Sequence, residues 1–319
     1  MKQLFGITVL LAALYGVLVW ATPESNLSLT NFNLGKRIGD YGIIGLGAGI
    51  LIISGGIDLS IGSVVALSAT VAAMLLTGGL GYELTPALAL PLVLLMGAAI
   101  GLINGLLVTK MKLPAFMVTL CGLFIYRGVA RTISGNVSRG LQDQFKDLVE
   151  MLYTEPVFGV PRILVVFLGL VVLATVFLHL SVYGRYLYAI GSNEKAARYS
   201  GIATDRYKVL AYVLCSTLAS LYGIMFLMDN NSVRPSSDGS FYELYAIAAA
   251  VIGGCSLRGG QGTVLGIVIG TAVLVVLPQL TNMLGVSSEL QFIVIGGALL
   301  LGTILDELLR PRRLVQRSR

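Results

Sequence analysis

Charge is what this 319-residue sequence has least of: Asp, Glu, Lys and Arg together make up 12% of it, about half of the ~25% usual for a globular domain. A water-facing shell cannot be built from so little, which excludes a soluble enzyme and a charged, disordered tail protein. Histidine is nearly missing as well. His179 is the only one, so a multi-histidine metal site is excluded and no metal is expected. Cys121, Cys215 and Cys255 lie far apart without a Cys-x-x-Cys pair, which excludes a disulfide scaffold and reads them as small packing residues. There is no G-x-x-x-x-G-K-[ST] loop, no H-E-x-x-H, no G-x-S-x-G and no GxGxxG after a strand. Neither a P-loop nucleotide site nor a catalytic centre is therefore visible.

Apolar sequence and glycine are abundant, at 56% of the chain and 39 residues. Small residues let helix backbones approach closely in lipid. A crossing helix needs about 20 mostly apolar residues, and apolar runs fall at 4–21, 40–54, 61–78, 86–109, 113–133, 163–182, 208–228, 242–254, 263–284 and 289–305. The expected fold is an all-α polytopic membrane protein of about ten transmembrane helices, one transmembrane domain over 1–319. The runs at 40–54 and 242–254 are short and end in glycine pairs, so they read as broken or partial crossings. With Lys2 ahead of it and no Ala-x-Ala site, the first run reads as an uncleaved anchor. With both termini in the cytoplasm, fourteen of the 22 basic residues fall inside, the five arginines of the tail 306–319 among them, as basic residues do. The net charge of +6 is thus spread between apolar runs and does not point to nucleic acid.

Asp58 is the acidic residue set most deeply between two runs, in Ile53-Ser54-Gly55-Gly56-Ile57-Asp58-Leu59-Ser60-Ile61-Gly62-Ser63. A carboxylate at membrane depth is costly unless paired or wetted, and such residues face a cavity or pathway. The glycines permit turns that other residues resist. The stretch reads as a break between helices, with Asp58 or Ser60 capping the helix that begins at Ile61, or with Asp58 acting directly in gating or solute contact; the two readings are compatible. Gly55-Gly56-Ile57-Asp58-Leu59-Ser60 is echoed by Gly253-Gly254-Cys255-Ser256-Leu257-Arg258, which is either an internal repeat with interrupted helices or a coincidence of glycine-heavy sequence.

The inside loop 183–207 holds a short helix between glycine breaks. Asn193 or Ser192 caps its start, Glu194 suits its positive end and Gly201 takes the left-handed stop. Such a helix is unstable alone and must dock. With Ala196-Ala197 as a close-packing surface beside Arg198, it reads as a solvated connector or as a lever for a cytoplasmic partner. On the lever reading, Ala197→Arg blocks the partner. The outside segment 134–161 has apolar positions 145, 148, 149 and 152, the spacing of a short helix lying on the outer surface. Asn104, Thr119, Arg127, Gln279 and Asn282 are polar residues within spans, and they read as interhelical hydrogen bonds or ligand contacts. Arg127 and Arg131, four apart, are expected to snorkel to the headgroups.

Gly55 through Ser63, together with Ala189-Ile190-Gly191-Ser192-Asn193-Glu194-Lys195-Ala196-Ala197-Arg198 and Gly201-Ile202, resembles the permease subunits of bacterial ribose-type ABC sugar importers. Leu113–Phe116, Leu123–Val129, Val251–Gly254 and Gly259–Gly266 look like that family too, and Pro86–Leu94 leans towards the galactofuranose-importer permease. The likeness covers nearly the whole chain.

The resemblance implies a permease domain over 1–319 in the bacterial inner membrane, with 183–207 as cytoplasmic coupling loop, 134–161 as periplasmic loop and 306–319 as basic cytoplasmic tail. It implies a second permease, as homo- or heterodimer, ATP-binding subunits inside and a periplasmic sugar-binding protein outside. ATP and Mg2+ then belong to the partner, and this chain binds no cofactor. Gly191, Asn193, Glu194, Ala196, Ala197, Arg198, Gly201 and Ile202 would couple to the ATPase. The flexible break and pathway would comprise Gly55, Gly56, Asp58, Ser60, Gly62, Ser63, Asn104, Phe116, Thr119 and Arg127. Relatives often carry Gly where Ser192 stands and an acidic residue where Tyr245 stands. The rival readings are a self-sufficient secondary carrier, an ABC permease for a furanone signal or amino acid, and a membrane scaffold or channel subunit.

Overall fold

The computed structural model describes residues 2–141, 145–154 and 156–285, with isolated positions 290, 293, 296, 297 and 300. The expected last span and the basic tail otherwise lie outside the described residues. Those residues form twelve α-helices: α1 (Lys2–Ala21), α2 (Glu24–Ile53), α3 (Ile61–Leu76), α4 (Pro86–Thr109), α5 (Ala115–Ser134), α6 (Lys146–Val149), α7 (Arg162–Thr175), α8 (Val182–Ser192), α9 (Glu194–Tyr199), α10 (Thr204–Asn230), α11 (Tyr242–Ile252) and α12 (Val264–Met283). Both α6 and α7 run on into π-helical turns, Glu150–Thr154 and Val176–Leu180. The only strands among the described residues, β1 (Arg139–Gly140) and β2 (Ser232–Val233), pair antiparallel.

The all-helical membrane architecture stands; the count of ten does not follow from it. Among the described residues, six helices are long and apolar enough to cross a membrane: α1, α4, α5, α7 with its π-helical extension, α10 and α12. The expected short run at 40–54 is the C-terminal half of α2, a helix of 30 residues. At 1.5 Å per residue it is about 45 Å long, enough to span, but its first half is too polar to stand out by hydropathy. That polarity is absorbed by partners. Lys36 pairs with Asp229 of α10 and sits over the Tyr153 ring, while both Asp40 carboxylate oxygens accept from the Tyr153 hydroxyl. By contrast, α11 has only 11 residues, about 16 Å, too short to cross the ~30 Å apolar core of a bilayer, in keeping with its short apolar run.

Tyr153 also anchors the outside segment. Residues 146–154 are helical, as the spacing predicts; Phe145 and Tyr153 are buried in the main core, with Leu148 and Val149 packed against it, while Lys146, Asp147, Glu150 and Met151 are exposed. The segment therefore lies on the helices by its apolar face.

The long α10 is central, packed against α2, α3 and α4, while α2 also packs on α7, α11 and α12. On the α4–α10 seam the helices meet backbone to backbone. A Cβ added at Gly101 would lie 2.5 Å from Tyr212 O and 2.6 Å from Val213 Cα, closer than real atoms allow. Gly97 and Gly105, one turn to either side, face Ser216 and Ser220, and Val209 and Tyr212. This is the small-residue packing that the glycine content foretells. Cys215 and Cys255 are buried packing residues, whereas Cys121 is exposed, against expectation.

Gly101→Val should cost about 1–3 kcal/mol through overpacking, read as a lowered unfolding temperature of the purified protein. Gly169→Ala, on an α7 position with open space around it, should leave that temperature unchanged or slightly raised.

Candidate functional site

Residues 54–60 connect α2 to α3 without helix. Gly55 lies at φ +80 and supplies the left-handed residue that ends α2: its N–H donates to Ile52 O and that of Gly56 to Leu51 O, at 2.9 and 3.0 Å. The end of α11 is built alike. Gly254, at φ +90, donates to Val251 O and Cys255 to Ala250 O, both at 2.9 Å. The stops are equivalent at Gly55 and Gly254, one residue out of register with the echo seen in the sequence.

Beyond the stop, Asp58 is buried. Its Oδ1 accepts from both the N–H and the hydroxyl of Ser60, at 2.7 and 2.6 Å. The expected cap is therefore not made: Asp58 closes a turn on Ser60, and neither side chain reaches the inner N–H groups of α3. Instead, Glu243 of α11 faces that first turn, where a Cβ at Gly62 would lie 2.4 Å from its Oε2 and 2.0 Å from Gly239 O. Asp58 Oδ2 is buried with no hydrogen-bond partner among the described residues. Asn104 of α4, 1% exposed, donates to Ser60 Oγ at 3.2 Å and accepts from the Tyr126 hydroxyl of α5 at 2.7 Å. The Tyr212 hydroxyl of α10 donates to Ile57 O at 3.2 Å.

The other expected pathway residues divide. Ser63 donates to Leu123 O at 2.8 Å and Thr119 to Ala115 O at 2.9 Å, so both hydroxyls bind backbone. Phe116 is exposed on α5. Arg127 does not snorkel: it donates to the carbonyls of Pro235 and Asp238 and holds the loop that enters α11. Arg131 is exposed and donates to Asn136 Oδ1 at 2.9 Å.

Below the break lies a cleft of about 470 Å³, walled by Gly55, Gly56 and Tyr212 at one end and by Lys112, Glu194, Arg198 and Lys208 at the other. At this end sits α9, the short helix expected in the loop. Asn193 caps it, accepting from Ala196 N–H at 3.0 Å. Gly201, at φ +83, ends it, with Ile202 N–H donating to Ala197 O at 3.1 Å. Glu194 pairs with Arg198 and Lys208, and Arg198 and Lys110 pair with Asp205, which ties α9 to the ends of α4 and α10. Ala197 is buried against the protein itself, while Lys195, Ala196 and Tyr199 point outward. The outward face is thus not the Ala196-Ala197 pair, and Ala197→Arg would dislodge α9 from its own seat before it met any partner.

The foot reaches the breaks through α8. A Cβ on Gly191 would lie 2.0 Å from Ile53 O and 2.3 Å from Gly260 N, and Gly260 N–H itself donates to Ile53 O at 2.9 Å. Tyr188 donates to Gly262 O at 2.9 Å. The end of α2, the loop after α11 and the helix leading into α9 therefore meet in one glycine junction.

The family described as branched-chain amino acid transport system / permease component matches residues 30–303. The ribose import permease protein of Escherichia coli (strain K12) is 37% identical over 302 residues, 93% of this chain and 92% of its own. The chain belongs to this permease family. The ribose import permease protein of Bacillus subtilis (strain 168) is 38% identical over 279 residues, 87% of this chain and 84% of its own. The autoinducer 2 import system permease protein of Yersinia enterocolitica is 35% identical over 233 residues, 73% of this chain and 62% of its own. No solved structure matches.

Within this permease, sequence reasoning passed over Tyr126, Tyr212 and Glu243, because each acts on a residue far away in the chain. Tyr245 packs its ring 5.4 Å from that of Tyr41. Gly191→Ala should separate α8 from the junction. The expected result is faster hydrogen exchange at Gly260 with α9 still helical; unchanged exchange there would mean the junction is not tight.

Proposed function

We propose that this permease is the translocating subunit of an ATP-driven importer for a monosaccharide of the ribose, galactose or galactofuranose kind. It would lie in the bacterial inner membrane with both termini in the cytoplasm, beside a second permease that is a copy or a paralogue. A periplasmic sugar-binding protein would deliver the solute, and ATP with Mg2+ would be held by separate ATP-binding subunits. The observation that carries this reading is the 37% identity over 93% of the chain to a ribose import permease. A furanone signal is the second reading, favoured by the autoinducer 2 relative at 35% identity over 73% of the chain.

The geometry supports a mechanism in which the motor pushes on α9. Asn193, Glu194, Arg198, Gly201 and Ile202 shape that foot; Ala197 seats it. Gly191 would pass its displacement to the ends of α2 and of the loop after α11. Alternating access needs two packings of similar energy. The non-helical stretch at Gly55–Ser60 is where the backbone can change between them without breaking a helix, because Ile57 O and the Ser60 N–H are held by side chains and not by a helical ladder.

Two outcomes test this. Reconstituted alone, the chain should move no sugar, even with a proton or sodium gradient imposed; gradient-driven uptake would support the secondary-carrier reading in its place. Ala196→Arg and Tyr199→Arg, on the outward face, should leave the folded permease intact but lower ATP-dependent uptake at least tenfold and reduce co-purification of the ATP-binding subunit. Full uptake with both changes would remove α9 as the point of contact.

A further inference from the structure

The polar chain above the break has a direction. The Tyr126 hydroxyl proton goes to Asn104 Oδ1 at 2.7 Å, an Asn104 amide proton goes to Ser60 Oγ at 3.2 Å, and the Ser60 hydroxyl proton goes to Asp58 Oδ1 at 2.6 Å. Every donor points inward, towards the carboxylate. A tyrosine hydroxyl that has committed its proton keeps only acceptor capacity. Tyr126 is half-buried on α5, whereas Asn104, Ser60 and Asp58 are buried, so Tyr126 is the least buried member of the chain, and what its hydroxyl has left to offer is an acceptor. At the other end, Asp58 Oδ2 has no partner among the described residues, and no ion pair to Asp58 occurs among them.

We infer that Tyr126 is a solute-reading residue, accepting a hydrogen bond from a hydroxyl of a neutral polyol, and that Asn104 and Ser60 are positioning residues that carry this contact to Asp58 and the break. This rests on the sugar reading above. A hydroxyl left with acceptor capacity takes hydroxyl donors. Serial hydrogen bonds polarise one another, so a donor arriving at Tyr126 strengthens each bond of the chain down to Asp58. The break then lies one step from the foot. Tyr212 holds Ile57 O at 3.2 Å, and Gly55 lies against Gly191, with a Cβ built on it 3.6 Å from Gly191 Cα. One connected set of contacts thus joins the position that reads the solute to the helix expected to meet the motor. Its members come from the break between α2 and α3 and from α4, α5, α8 and α10, which is why no stretch of sequence displays it.

The test uses the whole importer, permease with its ATP-binding subunits and binding protein, in proteoliposomes. D-ribose, D-galactose and D-xylose are offered first, then the deoxy analogues of whichever sugar is imported. Tyr126→Phe, which removes only the hydroxyl, should lower kcat/KM for uptake roughly tenfold, the scale of one lost hydrogen bond. It should also erase discrimination against one deoxy analogue that the unaltered importer handles poorly. Asp58→Asn should impair uptake as well, and Tyr126→Phe should add little on top of it, because both changes interrupt one chain. Tyr15→Phe, which removes a tyrosine hydroxyl on α1 far from this chain, is the control and should import normally.

Normal uptake by Tyr126→Phe, unaltered deoxy discrimination, or effects of Tyr126→Phe and Asp58→Asn that multiply would each overturn the inference. So would a loss that merely follows the amount of assembled complex seen by gel filtration, since a structural role predicts only that. If the unaltered importer takes up none of the sugars, the sugar reading itself fails and this inference with it.

Discussion

A backbone that leaves helical geometry where it is buried among helices must still satisfy its N–H and C=O groups, because an apolar surrounding offers none of the hydrogen bonds that water would. The central part of this protein is organised around that demand. At the ends of α2 and α11 the chain stops being helical, and in both places the freed carbonyls are taken up by the same device, a left-handed glycine followed by a donating N–H. Beyond each stop the backbone is held by tertiary partners: Ile53 O by Gly260, Ile57 O by Tyr212, Gly262 O by Tyr188, and the loop before α11 by Arg127. The irregular segments are thus tolerated because they are buried in protein and wrapped in donors.

That arrangement separates a stiff frame from an adjustable centre. The frame is the α4–α10 seam with α2 and α3, where glycine allows near contact of backbones and where packing leaves no slack. The adjustable part is the pair of breaks, which meet at Gly191 and share their surroundings with α8 and α9. On the proposed mechanism, a push on α9 would pass through atoms already in contact, and small displacements would have somewhere to go other than into the frame. The ion pairs that tie α9 to α4 and α10 are partly exposed, and exposed pairs are worth only about 0–1 kcal/mol each. They set the seat of the foot without fixing it permanently.

The polar side chains obey the same division. Those expected in the pathway from sequence did not all behave alike: Ser63 and Thr119 spend their hydroxyls on nearby carbonyls, and Arg127 binds two carbonyls of a loop more than a hundred residues away. Asp58, Ser60 and Asn104 do come together, and Tyr126 joins them. An amphipathic span shows that a residue is polar; it does not show which helix the side chain will face, since that depends on rotation of the helix about its axis and on the crossing of its neighbours. The partners of Lys36 and Asp40 are hidden in the sequence for the same reason, because Asp229 and Tyr153 are distant in the chain.

Composition and local order were enough to establish a helical membrane protein, the shortness of the helix within 242–254, the glycine stop after Ile53 and the capped helix from Glu194 to Tyr199, because each rests on hydropathy, length or a bond spanning a few residues. The full length of α2, the inward face of Ala197, the failure of Asp58 and Ser60 to cap α3, and the junction of Gly191 with Ile53 and Gly260 were decided only when the chain was packed. Those features are contacts between residues tens to hundreds of positions apart, and a linear pattern carries no information about which of the many sterically allowed pairings burial will select.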